Sequence, residues 1–225
     1  MNKIEIEELL YKDKNYSKIK EVLKDNSDSW SFNILGKIAL YEHQIELASE
    51  YFNKAQNLTA VGYCKFLQGK TEEALSIIAI VKGSNPQADW LFSLINIIKD
   101  IYDFHPTYMQ IRNFFEQDLE MLFACNQIDL IKKILSNCIY FEKYNKEIYK
   151  YYARVLVNNN YPDEAMTYIN KSLDIYYKDP ETHFIIGEIF EKKGMKNEAR
   201  AAYIKSSNIN GKYLPAENKL KVLSD

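Results

Sequence analysis

Residues 180–209 read PETHFIIGEIFEKKGMKNEARAAYIKSSNI, and the placing of small and large residues in that stretch decides the fold. Ile186-Gly187 and Phe190 lie on one helical face, Gly194 interrupts, and Ala199, Tyr203 and Ser206 lie on one face of a second helix. Apolar residues recur here at i, i+3, i+4 and i+7, the period of an amphipathic helix and not of a strand. Asp179-Pro180 supplies the start: a capping side chain precedes a proline whose missing N–H costs little in a first turn. Gly194 supplies the stop, because glycine adopts the left-handed dihedrals that end a helix.

The same pattern returns with a period of about 34 residues, the length of one helix-turn-helix unit. Ile131, Ala165 and Ala199 share one phase, Leu135, Ile169 and Tyr203 a second, and Leu119, Ala153 and Gly187 a third. Earlier copies run through Leu35-Gly36, Ala48, Phe52 and Ala55, then Gly62, Gly69, Ala74, Ile78 and Pro86, and most faintly Tyr16, Ile19 and Leu23. In that early part the spacing shortens, since Ile19, Ala48 and Ala74 stand closer together than successive members of the later phases. A helical pair of this size cannot bury its own apolar face, so pairs stack on their neighbours.

These residues resemble the tetratricopeptide repeat family over about four fifths of the chain. The resemblance implies an all-α fold, a right-handed α-solenoid of antiparallel helix pairs with about 14 helices. The expected organisation is one continuous solenoid: three short repeats over 1–83, an unpaired apolar helix within 84–106, three full-length repeats over 107–211, and a capping helix over 212–225. A single helix is expected over 127–141 and another over 86–103.

The 225 residues are 47% hydrophobic and carry a net charge of −2, which gives no long-range attraction for nucleic acid. Lys3, Glu5, Glu7 and Glu8 occupy the place where an export signal would need an unbroken apolar run. The greasiest run, Trp90 to Ile98, is far shorter than the roughly 20 residues of a membrane span. Cys64, Cys125 and Cys138 are odd in number and lack CxxC spacing, so neither disulfides nor zinc is expected. Cys138 shares the phase of Ser172 and Ser206, a small packing position. A cytoplasmic protein without membrane insertion is expected. His43, His105 and His183 form no metal-binding motif, and no phosphate-binding glycine loop or nucleophile elbow occurs. The expectation is therefore no enzyme, no cofactor and no metal, but a scaffold or adaptor for a protein or peptide partner.

The resemblance implies that a ligand is read along the groove side of the first helix in each pair. The register assigns two columns to that side, Glu116, Lys150, Phe184 and Glu120, Arg154, Glu188, with Tyr151 beside them. Lys150 and Arg154 would form a cationic centre, and Tyr151 and Phe184 aromatic anchors, for a peptide with an acidic and an apolar residue. The alternative is that Glu116 pairs with Lys150, and Arg154 with Glu120 or Glu188, as bridges between repeats. A second function class is self-association into a homodimer through the apolar helix 86–103, with Trp90 and Phe92 as its contact residues.

Overall fold

A computed structural model describes residues 1–209, 211 and 213–223, apart from the Cys138 side chain. The packing role expected of Cys138, and the part of the expected capping helix that rests on Lys212, Ser224 and Asp225, lie outside those residues. Among the described residues the secondary structure is helical throughout, with no strand.

Two compact units divide the chain. The first takes residues 1–104 together with Ala124–Leu130, and the second takes His105–Phe123 and the chain from Ile131 onward. In the first unit α1 (Lys3–Glu8) runs on into a π-helical turn at Leu9–Asp13, followed by α2 (Tyr16–Leu23), α3 (Ser29–Tyr41) and α4 (Ile45–Lys54). Then come α5 (Leu58–Leu67), α6 (Thr71–Val81) and α7 (Pro86–Ile98). The second unit is built from α8 (Tyr108–Ala124), α9 (Ile128–Ser136), α10 (Cys138–Glu142), α11 (Ile148–Asn158) and α12 (Pro162–Ile175), then α13 (Pro180–Lys192), α14 (Lys196–Ile209) and α15 (Leu214–Val222). Ala124–Leu130, the last residue of α8, the turn after it and the first residues of α9, belong to the first unit.

Within a pair, one contact is made again and again. A Cβ placed on Gly36 would stand 2.7 Å from the Phe52 ring, and one on Gly62 would stand 2.6 Å from Ile78. Gly187 meets the ring of Tyr203 in the same manner. The three couples have one and the same separation in sequence. Ala153 and Ile169 share it, both fully buried in one cluster with Val157 and Ile185. The separation within a pair is thus constant, although the pairs themselves follow one another at a shorter interval in the first unit than in the second. Removing a side chain on one helix lets a large one on the other sink toward its backbone, which holds the pair at close range.

The turn inside each pair is also shared. Asn126, Asn160 and Gly194, each one repeat apart, have φ of 55°, 69° and 73°, and His43 and Gly69 have 59° and 77°. Asparagine tolerates this region better than other side chains do. Successive pairs are joined by their caps. Asn57 caps α5 through Ala60 N and donates from Nδ2 to Asn33 Oδ1 on α3 at 2.9 Å. Asn85 caps α7 through Ala88 N and donates to Thr59 Oγ1 on α5 at 3.0 Å.

That joint identifies α7. It docks on α5 and α6 as the first helix of a pair would. Trp90, Leu91, Leu94, Ile95, Ile97 and Ile98 are all buried. The helix stops at Ile98, short of the expected 103, because Asp100 turns to φ 60°. Ile101 and Tyr102 consequently lie outside it and are exposed. The helix expected over 127–141 is two helices. Ser136 Oγ and Asn137 Nδ2 both donate to the Lys133 carbonyl, and side chains that take over a backbone acceptor in this way interrupt a helix.

Candidate partner-binding face of the second unit

The first helices of the second unit, α8, α11 and α13, carry the residues that the register assigns to a groove side. The geometry brings most of them together, in pairings other than those expected. Lys150 is 4% exposed, and its ammonium meets three carboxylates: Glu147 Oε1 at 3.0 Å, Asp179 Oδ2 at 2.9 Å and Glu181 Oε2 at 2.7 Å. Burial alone would push this lysine down, but the hydrogen bonds and charges of Glu181 and Asp179 outweigh it and hold the pKa well above the ordinary value. Asp179 does a second job, capping α13 by accepting from Glu181 N at 3.1 Å and Thr182 Oγ1 at 2.9 Å. The joint made by asparagine caps in the first unit is made here by a charged one.

Arg154 donates from Nη1 to both oxygens of Glu116, at 2.8 and 3.0 Å, and from Nη2 to Glu181. Glu181 therefore spans the two cations. Glu120 accepts from Asn158 Nδ2 at 2.9 Å and Asn159 Nδ2 at 2.6 Å. The expected pairs Glu116 with Lys150, and Arg154 with Glu120 or Glu188, are not the ones formed. Burial pushes the Glu116 carboxyl up despite its guanidinium partner, with Glu181 and Glu120 adding repulsion. Glu188 is also pushed up by burial, and no described residue gives its carboxylate a hydrogen bond or an ion pair.

The expected aromatic anchors are engaged within the fold. Tyr151 is 7% exposed and donates to Glu147 Oε2 at 2.9 Å; burial and that carboxylate push its hydroxyl up to about 12. Tyr108, which the register did not single out, reaches the same oxygen at 3.2 Å and remains exposed. Phe184 packs on Tyr203 and Tyr213 at centroid distances of 5.4 and 5.8 Å. Lys150 is thus not an open cationic centre but the neutralised hub of a network across α11 and α13. What reaches solvent is the set of half-exposed Glu116, Glu147, Arg154 and Glu181 with Tyr108, Asn113 and Gln117.

Trp90, expected as a self-association residue, is 1% exposed and lies in the core of the first unit. A fully buried ring offers a second copy no surface. Phe92 is half-buried, edge-on to Phe104 at 4.5 Å and beneath the Lys82 ammonium at 4.3 Å.

Among the described residues no group of His, Cys, Asp and Glu is placed to hold a metal ion, and no helix is long and apolar enough to cross a membrane. Residues 180–213, which include α13 and α14, match the family model described as tetratricopeptide repeat. Over these residues the chain is tetratricopeptide-like. Comparison with curated proteins finds no match. Among solved structures it is similar to the APC/C hetero-tetramer Cut9–Hcn1, at 14% identity and TM-score 0.43 over 96% of this chain. The chain spans only 46% of that structure's length. It is similar to YrrB, described as a tetratricopeptide repeat protein with an unusual peptide-binding site, at 12% identity and TM-score 0.37, covering 90% of this chain and 97% of that one. A tetratricopeptide repeat protein from Parabacteroides merdae matches at 16% identity and TM-score 0.39 over 98% and 99% of the two chains.

Proposed function

We propose that this protein is a non-catalytic cytoplasmic scaffold that holds a partner protein or peptide against the α8, α11 and α13 face of its second unit. Tetratricopeptide-like architecture is that of protein-interaction scaffolds in general. The observation that supports this face is Glu181: bonded to buried Lys150 and to Arg154, it is held in place while it and Arg154 still reach solvent. Side chains already ordered before binding lose less entropy on contact, so a partner gains more from each hydrogen bond.

The network changes the chemistry expected of that partner. Glu116, Glu120, Glu147, Asp179, Glu181 and Glu188 surround two cations, so a carboxylate arriving at Lys150 would meet an excess of like charge. The face is suited to hydrogen-bond donors and basic groups, with Tyr108 as its exposed aromatic.

The test is affinity purification from the native cell with Glu188→Lys combined with Gln117→Lys, two substitutions that break no described bond. Loss of a specific co-purifying protein from a variant of unchanged helicity is the expected result. Equal recovery with both chains would place the partner elsewhere.

A further inference from the structure

A second surface lies in the first unit, on the side of the second helices α2 and α4. A cavity of about 410 Å³ opens there over α3. Its floor is apolar, formed by Leu35 and Ala39 of α3 with Phe32, Leu47 and Tyr51. Leu47 is 37% exposed, and the Phe32 and Tyr51 rings stack at 6.3 Å. Its rim is made of Lys20 on α2, Lys24 at the end of α2 and Lys54 at the end of α4, with the amides of Asn26 and Gln44. No carboxylate of the described residues lines it.

The three lysines differ in what they meet. Lys20 donates to Glu42 at 2.6 and 2.8 Å, so its charge is answered within the fold. Lys54 stands over the Phe32 and Tyr51 rings at 5.5 and 5.8 Å, and neither it nor Lys24 meets a carboxylate among the described residues. An apolar trough whose rim holds two unanswered ammonium groups, on a chain whose net charge is −2, is complementary to a ligand that is apolar at its centre and acidic at its flanks. We propose that this trough docks an acidic amphipathic segment of a partner protein, with a large apolar side chain on Phe32, Leu47 and Tyr51 and Asp or Glu side chains at Lys24 and Lys54. A protein segment fits better than an anionic membrane or a nucleic acid, because the cavity encloses apolar atoms and its few lysines form no broad basic field. The surface is separate from the α8, α11 and α13 face, and either can fail without the other.

The probe is a fluorescein-labelled peptide with a Leu-Phe pair between two glutamates on each side, titrated with the full chain and read by anisotropy. Expected is binding that the peptide with lysine in place of every glutamate does not show. Lys24→Glu with Lys54→Glu should weaken it by about tenfold, a change of roughly 1.4 kcal/mol. Lys132→Glu with Lys133→Glu, the same charge change on exposed α9 positions, should weaken it less than about twofold. Leu47→Asp should weaken it without changing either lysine, and circular dichroism checks that each variant keeps its helices. No binding of the acidic peptide, equal binding of the lysine peptide, or equal loss with the α9 variant would each overturn the proposal. So would retention on phosphatidylserine vesicles that depends on Lys24 and Lys54 when the peptide is ignored.

Discussion

Glu181 Oε2 lies 2.7 Å from the ammonium of Lys150, and its other oxygen bonds Arg154, so one carboxylate at the start of α13 holds two cations of α11. Lys150, held as well by Glu147 and Asp179, is closed to a ligand, whereas Arg154 still reaches solvent.

Replacing Lys150 with methionine should therefore destabilise the protein strongly. Glu147, Asp179 and Glu181 would lose the one positive charge they share, and removing one partner of a buried ion network costs about 3–5 kcal/mol. Urea unfolding of Lys150→Met against the parent chain measures it. A loss below about 1 kcal/mol would mean the bridges are no stronger than surface pairs.

The pH dependence follows from two opposed sets of carboxylates. Burial would push Glu147 and Asp179 up, but the hydrogen bonds from Lys150 hold both below their ordinary values, so the stability they lend is present near neutral pH and is lost as acid titrates them. Glu116 and Glu188 are raised by burial, so their contribution runs the other way and grows as pH falls from neutrality. Urea midpoints should rise slightly on mild acidification and fall steeply in stronger acid. In Glu188→Gln the mild rise should shrink while the acid loss stays.

Gly187→Ala should cost about 1–3 kcal/mol, because the new methyl group overlaps the Tyr203 ring, itself fully buried. The preceding pair suggests the remedy, since Ala153 and Ile169 hold the same two positions there, buried in one cluster. Tyr203→Ile in the Gly187→Ala background should recover part of the loss, and a double-mutant cycle in urea gives the coupling. Strict additivity would rule out the contact.

Gly194 is a different case. A Cβ there meets nothing within 4 Å, but φ is 73°, so Gly194→Ala should cost about 1 kcal/mol through the backbone alone. No partner substitution should rescue it.

Cys64 and Cys125 should differ in reactivity. Burial pushes the Cys64 thiol up to about 12 and it is 0% exposed, whereas Cys125 is half-buried and raised less. In a Cys138→Ser background, a thiol reagent should modify Cys125 in the native protein and Cys64 only on unfolding. Equal rates would contradict the packing of α5.

The fold was legible because its decisive signals are local. Gly36 and Phe52, Gly62 and Ile78, and Gly187 and Tyr203 stand at one separation, and the turns at Asn126, Asn160 and Gly194 keep step with them. The breaks at Asn137 and Asp100 were not legible, since each depends on a backbone acceptor or dihedral that the apolar pattern does not encode. The ion pairing was misread for a geometric reason. Register places Lys150 level with Phe184, but helical side chains lean toward the N-terminus, and a lysine is long enough to reach Asp179 and Glu181, one turn earlier on the next first helix.

The fixed spacing of each glycine from its large partner has a bearing on how such a chain tolerates change. Residues added or removed between a second helix and the next first helix leave every glycine facing its own large partner, whereas a single insertion between Gly187 and Tyr203 would rotate one out of the other's reach. Length variation is therefore absorbed at the seams, and each hairpin behaves as an indivisible part.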